Sequence, residues 1–109
     1  MTGTDILIVD DDPASITALK NALAGQGRLR FATSGAEALR MVQRRVPDLV
    51  LLDIEMPGIS GFEVCRALQD DPLTVDVPVI FLTSHDSAEE ELTGLSLGAV
   101  DFIAKQARP

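Results

Sequence analysis

Short apolar runs alternate with amphipathic segments along the whole chain. Three of the runs, Ile6 to Val9, Leu49 to Leu52 and Val79 to Leu82, are continuously apolar, which is typical of strands covered on both faces of a sheet. Two others, Leu29 to Ala32 and Asp101 to Ala104, mix polar and apolar residues, as strands at the edges of a sheet do. The pattern therefore predicts an α/β fold with a doubly wound, five-stranded parallel sheet in the order 2-1-3-4-5, which also obeys the right-handed crossover rule.

The segments between these runs carry the caps and apolar stripes of helices. Asp12, Ser34 and Ser87 are predicted N-caps, the last of them in a capping box with Glu90. The third helix is predicted over about residues 61–70. The predicted inward-facing residues are Ile16, Leu19 and Leu23 in the first helix, which should end before Gly25; Leu39, Val42 and Val46 in the second, which should end before Pro47; Val64, Cys65 and Leu68 in the third; and Leu92 and Leu95 in the fourth.

The length, charge and cysteine content narrow the class of protein. A chain of 109 residues supports one domain, taken as residues 1–109. The net charge of −8 argues against direct nucleic-acid binding, which needs a basic face. No apolar run approaches the length of a membrane span and the first residues lack the pattern of a secretory signal, so we expect a cytoplasmic protein that does not contact membranes. The single cysteine, Cys65, excludes an internal disulfide and is expected in the core.

Polar side chains stand at the ends of four of the predicted strands. Asp10 and Asp11 follow the first strand, Asp53 the third, Thr83 the fourth and Lys105 the fifth. Because the carboxyl ends of parallel strands meet at one edge of the sheet, these side chains should converge there. Three carboxylates in a small pocket repel one another unless a cation lies among them, and Mg²⁺ prefers oxygen ligands that include one to three carboxylates. The sequence therefore predicts a Mg²⁺ site at this edge.

The same group of side chains suits phosphoryl transfer. Asp53 would attack the phosphorus while the cation, the Lys105 ammonium and the Thr83 hydroxyl hold the oxygens, and the product would be an aspartyl phosphate. A lone aspartate more often caps a helix or lies solvated in a loop, and Asp12 is assigned such a role. Three carboxylates at converging strand ends favour the site instead.

Four separated motifs at these strand ends carry a family resemblance. They read "IVDDDP", "LVLLDIEMPGISGFEVC", "VPVIFLTS" and "LGAVDFIAK", in that order. Together they make the chain resemble the receiver domain of bacterial two-component response regulators, over all of the domain except a C-terminal helix. The resemblance implies the flavodoxin-like fold and a partner that donates phosphoryl groups, either a histidine kinase or a phosphotransfer protein. It also implies an output domain or partner, and a phosphoacceptor that assists its own phosphorylation and dephosphorylation but is not an enzyme.

The resemblance also assigns roles to individual residues. In receivers, the hydroxyl at the position of Thr83 moves toward the phosphate and an aromatic ring turns inward, which changes the surface of the fourth helix and fifth strand. A phosphoryl group adds roughly −1.5 to −2 charges and new acceptor oxygens, so a nearby hydroxyl gains a partner only in the modified state. The implied assignments are Asp53 as phosphoacceptor; Asp10, Asp11, Asp53 and the backbone carbonyl of Glu55 as Mg²⁺ ligands; Thr83 and Lys105 as phosphoryl-binding residues; and Thr83 and Phe102 as switch residues.

The chain departs from the family pattern at two places near its C-terminus. Gln106 follows Lys105 where receivers usually carry a proline with a cis peptide bond; because cis bonds cost about 2.5–4 kcal/mol without proline, we expect a trans bond and a looser Lys105. A fifth helix is not expected, because the sequence stops at Pro109. That helix normally covers the sheet beside the first helix. We therefore expect an uncovered apolar strip there, with self-association, partner binding or reduced stability as the result.

Other interpretations of the same residues stay open. The chain would be a pseudo-receiver, working as an interaction or dimerisation module without phosphorylation, if Gln106 and the missing helix disable the switch. It would be an aspartate-nucleophile phosphatase if Asp53-Ile54-Glu55 were the acid-x-acid motif of that superfamily, although the chain is too short for a substrate-selecting cap. Phe102 is as readily an ordinary edge-strand aromatic as a switch residue. His85 occupies a position that receivers place over the pocket mouth, but it is more readily a plain loop histidine than a residue that affects loss of the phosphoryl group.

Overall fold

The computed structural model of the protein describes residues 3–83 and 101–104, together with Ser96 and Gly98. Within that part of the chain, five strands and three helices alternate, as the apolar pattern predicts. Their bounds are β1 Thr4–Val9, α1 Pro13–Ala22, β2 Gly27–Ala32, α2 Gly35–Arg44, β3 Leu49–Asp53, α3 Gly61–Gln69, β4 Val79–Thr83 and β5 Asp101–Ala104.

The five strands form one sheet in the order β2-β1-β3-β4-β5, and every pair in it is parallel. This confirms the predicted fold class and strand order. The helix predicted from Ser87 and the expected absence of a fifth helix both concern residues outside the described part. No helix among the described residues is long and apolar enough to cross a membrane.

The predicted caps of the first two helices are confirmed. The Asp12 side chain accepts a hydrogen bond from the backbone N–H of Ala14, and the Ser34 hydroxyl accepts one from Glu37. The third helix has a cap that sequence analysis missed, a full capping box between Ser60 and Glu63. Each cap satisfies backbone donors that would otherwise lack a partner at the start of the helix.

One predicted helix end is confirmed and the other is wrong. The α1 helix ends at Ala22, before Gly25 as predicted, and its C-cap Leu23 packs against the core. Val46 lies beyond α2, because the helix ends at Arg44 and Arg45 is extended. The proline after Val46 disfavours helical backbone at that residue, and Val46 is 41% exposed.

The core lies on both faces of the sheet. Leu82 of β4 packs on the face of the sheet that α1 covers. Ile103 of β5 is its register partner and therefore lies on the same face, where it is 45% exposed. On the α2 and α3 face the buried residues are Leu7, Val9, Ala32, Ala38, Val42, Val50, Leu52, Ile54, Met56, Val64, Cys65, Leu68, Val79 and Phe81; on the α1 face they are Ile6, Ile8, Leu51 and Leu82.

Candidate functional site

The strand order brings the predicted site residues to one edge of the sheet. Asp10 follows β1, and its backbone N–H donates to the carbonyl of Ala32 at 3.0 Å, which continues the sheet pairing by one residue. Asp53 is the last residue of β3, and Thr83 is the last residue of β4 rather than the first one after it. Because β1, β3 and β4 are neighbours, their carboxyl ends lie side by side.

Three carboxylates converge at this edge. Asp10, Asp11 and Asp53 each offer one oxygen, and these oxygens all lie within 4.8 Å of one another. Asp10 is fully buried and Asp53 is 3% exposed, while Asp11 faces solvent. Carboxylates this close, two of them removed from water, repel one another strongly when ionised. The all-oxygen donor set and its charge therefore fit a hard divalent cation.

The fourth acid of this region, Asp12, is turned away from the cluster. Its carboxylate caps α1, accepting from the Ala14 N–H at 3.0 Å and from the Ser15 hydroxyl at 3.2 Å. Its own backbone N–H donates to Asp10 Oδ1 at 3.0 Å. The chain thus separates one carboxylate from the cluster and uses the same turn to hold Asp10 in place.

Of the other predicted site residues, Thr83 and Glu55 lie within the described part of the chain and Lys105 does not. Thr83 is buried, with 5% of its surface exposed. Glu55 is exposed and lies in the loop between β3 and α3, two residues after Asp53. Lys105, together with His85 and Gln106, falls outside the described residues. The structure therefore brings Asp10, Asp11 and Asp53 together, and the roles of all these residues stay predictions.

The loop after Asp53 ends at a glycine, Gly61, that no other residue can replace without displacing the neighbouring backbone. Gly61 begins α3, and its N–H donates to the carbonyl of Ile54 at 2.9 Å. A Cβ added to Gly61 would lie 2.1 Å from the backbone oxygen of Asp53, far inside contact distance. Gly58 turns the loop with a φ of +78°, a backbone conformation that favours glycine. Gly58 thus lies at the turn of the loop and Gly61 at the entry to α3.

Phe102 is part of a line of three aromatic rings. Its half-buried ring lies 5.4 Å from that of Phe81 in β4, and Phe81 lies 5.1 Å from Phe62 at the start of α3 in an edge-to-face arrangement. Offset and edge-to-face pairs at these distances are favourable. The ring of Phe102 is thereby connected through one neighbour to the helix that begins against Asp53.

Sequence analysis missed a third buried aspartate, which lies near the start of β1. Asp5 is 5% exposed, and its Oδ1 accepts from Arg30 Nε at 2.9 Å. Arg45 Nε lies 3.0 Å from Asp5 Oδ2 without hydrogen-bond alignment, so that contact is an ion pair alone. Asp48 binds the backbone of Asp5 twice: its carboxylate accepts from the Asp5 N–H at 2.8 Å, and its own N–H donates to the Asp5 carbonyl at 2.8 Å. No local pattern signals this cluster, because its members lie far apart along the chain.

Cys65 is buried in the core, as predicted. Burial raises the pKa of its thiol above the usual value, so the residue is a neutral, weakly nucleophilic packing group near neutral pH.

Known proteins resemble this chain over nearly its whole length. Residues 6–109 match the family described as the response regulator receiver domain. The chain is 46% identical over 100 residues to the "Probable cyclic di-GMP phosphodiesterase" of Vibrio cholerae, covering 92% of this chain and 23% of that protein. It is 43% identical over 101 residues to the response regulator PleD of Caulobacter vibrioides, covering 92% of this chain and 22% of PleD. The chain thus spans less than a quarter of the length of these two relatives.

A solved structure shares the fold. The crystal structure of the N-terminal domain of a response regulator receiver protein from Methanoculleus marisnigri superposes with a TM-score of 0.85. The two chains are 37% identical, and the match covers 94% of this chain and 84% of the other. The similarity therefore extends to the arrangement of the strands that bring the three aspartates together.

Proposed function

The chain belongs to the response regulator receiver domain family, and from this membership we propose that it accepts a phosphoryl group on Asp53 in a Mg²⁺-dependent reaction. The observation that carries the proposal is the convergence of Asp10, Asp11 and Asp53 at the end of the sheet, with two of the three carboxylates buried. A cluster of this charge has no evident structural purpose, whereas phosphoryl transfer to an aspartate requires that carboxylate and a cation in one place.

Each side chain has a distinct task in the proposed reaction. An Asp53 carboxylate oxygen attacks the phosphorus of the donor, and the bond from phosphorus to the donor's leaving atom breaks. Asp10, Asp11, Asp53 and the Glu55 carbonyl would hold Mg²⁺, which when bound offsets the carboxylate charge and the charge developing on the phosphoryl oxygens. Thr83 and Lys105 would bind those oxygens directly. The burial of Asp53 and Thr83 supports these tasks, because it keeps water from competing for the same contacts.

Switching would follow from the new contact of Thr83. Once Asp53 carries a phosphoryl group, the Thr83 hydroxyl gains a strong acceptor, and its shift would allow Phe102 to turn inward. The affected surface would be that of the fourth helix and β5. Phe102 is half-buried and its ring packs on Phe81, so an inward turn would bury the part of its surface that is now exposed.

The proposed partners are a histidine kinase or phosphotransfer protein as donor and an output domain or protein as the regulated element. The relatives named above are far longer than this chain, and one of them is named for a phosphodiesterase activity. We assign no such activity to this domain, which would act as a phosphoacceptor. The expected cytoplasmic location and the expected tendency to self-associate stay predictions.

The direct test is intact-mass measurement after incubation with acetyl phosphate and Mg²⁺. We expect the wild-type chain to gain one phosphoryl group and Asp53→Asn to gain none, with the adduct lost when the metal is chelated. Asp71→Asn, an acid in the loop after α3, serves as a matched control that keeps the adduct.

Two other outcomes would redirect the assignment. No adduct on folded, Mg²⁺-bound wild-type protein would contradict the phosphoacceptor proposal and favour the pseudo-receiver. Repeated turnover of a phosphomonoester, abolished by Asp53→Asn, would indicate the phosphatase instead.

A further inference from the structure

Basic residues are concentrated in one part of this acidic chain. Residues 27–46 hold five of the nine basic residues, Arg28, Arg30, Arg40, Arg44 and Arg45, but only one of the seventeen acidic residues, Glu37. The segment runs through β2, α2 and the C-cap of α2. The chain as a whole carries a net charge of −8, so this region opposes the sign of the rest of the molecule.

Two of these arginines already have a structural task, and two do not. Arg30 and Arg45 are paired with buried Asp5. Arg40 and Arg44 are exposed on α2, and neither forms an ion pair with a carboxylate of the described residues. Unpaired arginines are unexpected in a chain with almost twice as many acids as bases.

The acid nearest to these arginines along the helix is held elsewhere. Glu37 Oε1 accepts from the N–H of Thr33 at 2.7 Å and from its hydroxyl at 3.1 Å. These hydrogen bonds, with a smaller contribution from Arg40, lower the pKa of Glu37 below its usual value. Glu37 therefore weakens the positive field of the patch but does not form a contact ion pair with either arginine.

The two arginines border a groove along α2. Glu37, Arg40, Met41 and Arg44 follow the i, i+3, i+4, i+7 spacing of one helix face and line an open groove of about 230 Å³. Met41 is half-buried and packs against the core, so it gives the groove an apolar floor between two guanidinium groups. The volume is below the 300–1,000 Å³ that is usual for small-molecule sites, and it suits side chains of another protein better than a whole organic ligand.

We propose that this groove docks an acidic segment of a partner protein, with two carboxylates about one helical turn apart that meet Arg40 and Arg44, and an apolar residue that contacts Met41. Charge complementarity selects this occupant, because the patch is the basic region of an acidic molecule and its arginines present planar forks suited to carboxylates. Arg40 and Arg44 are one helical turn apart, which sets the spacing required of the partner. The groove contains none of the phosphorylation-site residues, so the proposal stands apart from the proposed function.

The test is a titration of the isotope-labelled 109-residue chain with a synthetic peptide, followed by amide chemical shifts at low ionic strength. The probe is a double repeat of Glu-Ala-Ala-Leu-Glu, which places two glutamates and a leucine on one helix face; the matched peptide carries glutamine for glutamate. We expect the acidic peptide to shift the amides of residues 37–44, the shifts to weaken with added salt, and the glutamine peptide to have little effect.

Variants separate specific docking from general attraction. Arg40→Gln with Arg44→Gln should weaken binding of the acidic peptide about fivefold, as expected for two exposed charge pairs. Arg66→Gln, which removes an exposed arginine of α3 outside the groove, should leave the affinity unchanged. All three replaced arginines lie at exposed helix positions. A dispersed amide spectrum of each variant confirms that it is folded.

Three results would overturn the proposal. The first is the absence of shifts at residues 37–44 in the wild-type chain at millimolar peptide. The second is an equal loss of affinity in Arg66→Gln, which would show attraction to charge in general. The third is tighter binding at the same residues by a single-stranded oligonucleotide than by the acidic peptide, which would assign the patch to phosphate backbones rather than to protein carboxylates.

Discussion

The two ends of β1 both carry a buried aspartate, but their surroundings are opposite. Asp5 near its start is 5% exposed and lies between the guanidinium groups of Arg30 and Arg45. Asp10 just past its end is fully buried and lies beside two further carboxylates, Asp11 and Asp53. The same side chain on the same strand is thus compensated by positive charge at one end and placed among negative charge at the other.

This difference separates a charge that the fold compensates from one that lies among like charges. A buried carboxylate with cationic partners is satisfied by the fold itself, and nothing further needs to bind. A buried carboxylate close to other carboxylates is repelled by them, and a bound cation would relieve that repulsion, which makes such a cluster a candidate functional site. Burial alone would not have distinguished the two aspartates.

The largest change in the free energy of unfolding is expected from Asp5→Asn. The amide cannot offset two arginines, so the free energy of unfolding should fall by about 2–3 kcal/mol, less than for a fully buried pair because Arg45 is 54% exposed. Urea denaturation measures the loss, and Asp76→Asn at an exposed loop position should change stability by less than about 0.5 kcal/mol. An Asp5→Asn variant as stable as the wild type would show that the pairing at this end is not a structural requirement.

A smaller change of the opposite sign in the free energy of unfolding is expected from Asp10, just past the carboxyl end of β1. In metal-free buffer, Asp10→Asn should raise the free energy of unfolding by about 1 kcal/mol, because it removes one of three repelling carboxylates. Mg²⁺ at ten times its dissociation constant should stabilise the wild type by about 1.4 kcal/mol and the variant far less. Thermal unfolding with and without the metal measures both terms. Equal Mg²⁺ shifts in the two proteins would contradict the assignment of Asp10 as a ligand.

The smallest expected change in stability concerns a half-buried, hydrogen-bonded acid, Glu37. Glu37 has its pKa lowered by the hydrogen bonds from Thr33, so its ionised form adds stability that is present above its usual pKa of 4.5 and is lost as pH falls through the lower, folded value. Glu37→Gln should therefore cost less than about 1 kcal/mol near neutral pH. The difference from wild type should shrink in acid, as measured by urea denaturation at several pH values. A difference independent of pH would mean that charge is not involved.

Much of the fold and part of the site could be predicted because the signals are local. Continuous apolar runs mark the central strands, and Asp12 and Ser34 mark helix starts, since each pattern depends on a few consecutive residues. The convergence of Asp10, Asp11 and Asp53 followed from strand order alone. The capping box of Ser60 and Glu63 was equally local and could have been predicted from its spacing.

The rest depended on contacts that the sequence does not display. Asp5 and Arg30 meet because β1 pairs with β2 in one register, and a shift of that register would separate them. The end of α2 was misjudged because the apolar spacing continues to Val46, whereas the backbone restriction imposed by Pro47 overrides it. The Phe62, Phe81 and Phe102 line likewise joins three elements whose packing no periodicity announces.

That aromatic line has a consequence for how the molecule can be observed. The chain contains four phenylalanines and no tryptophan or tyrosine, so the native protein lacks the fluorescence that is commonly used to follow proteins in solution. Three of the four phenylalanines stand in the line. A tryptophan in place of Phe102 would therefore emit from a single place, the junction of β5, β4 and α3, against a background that is dark elsewhere.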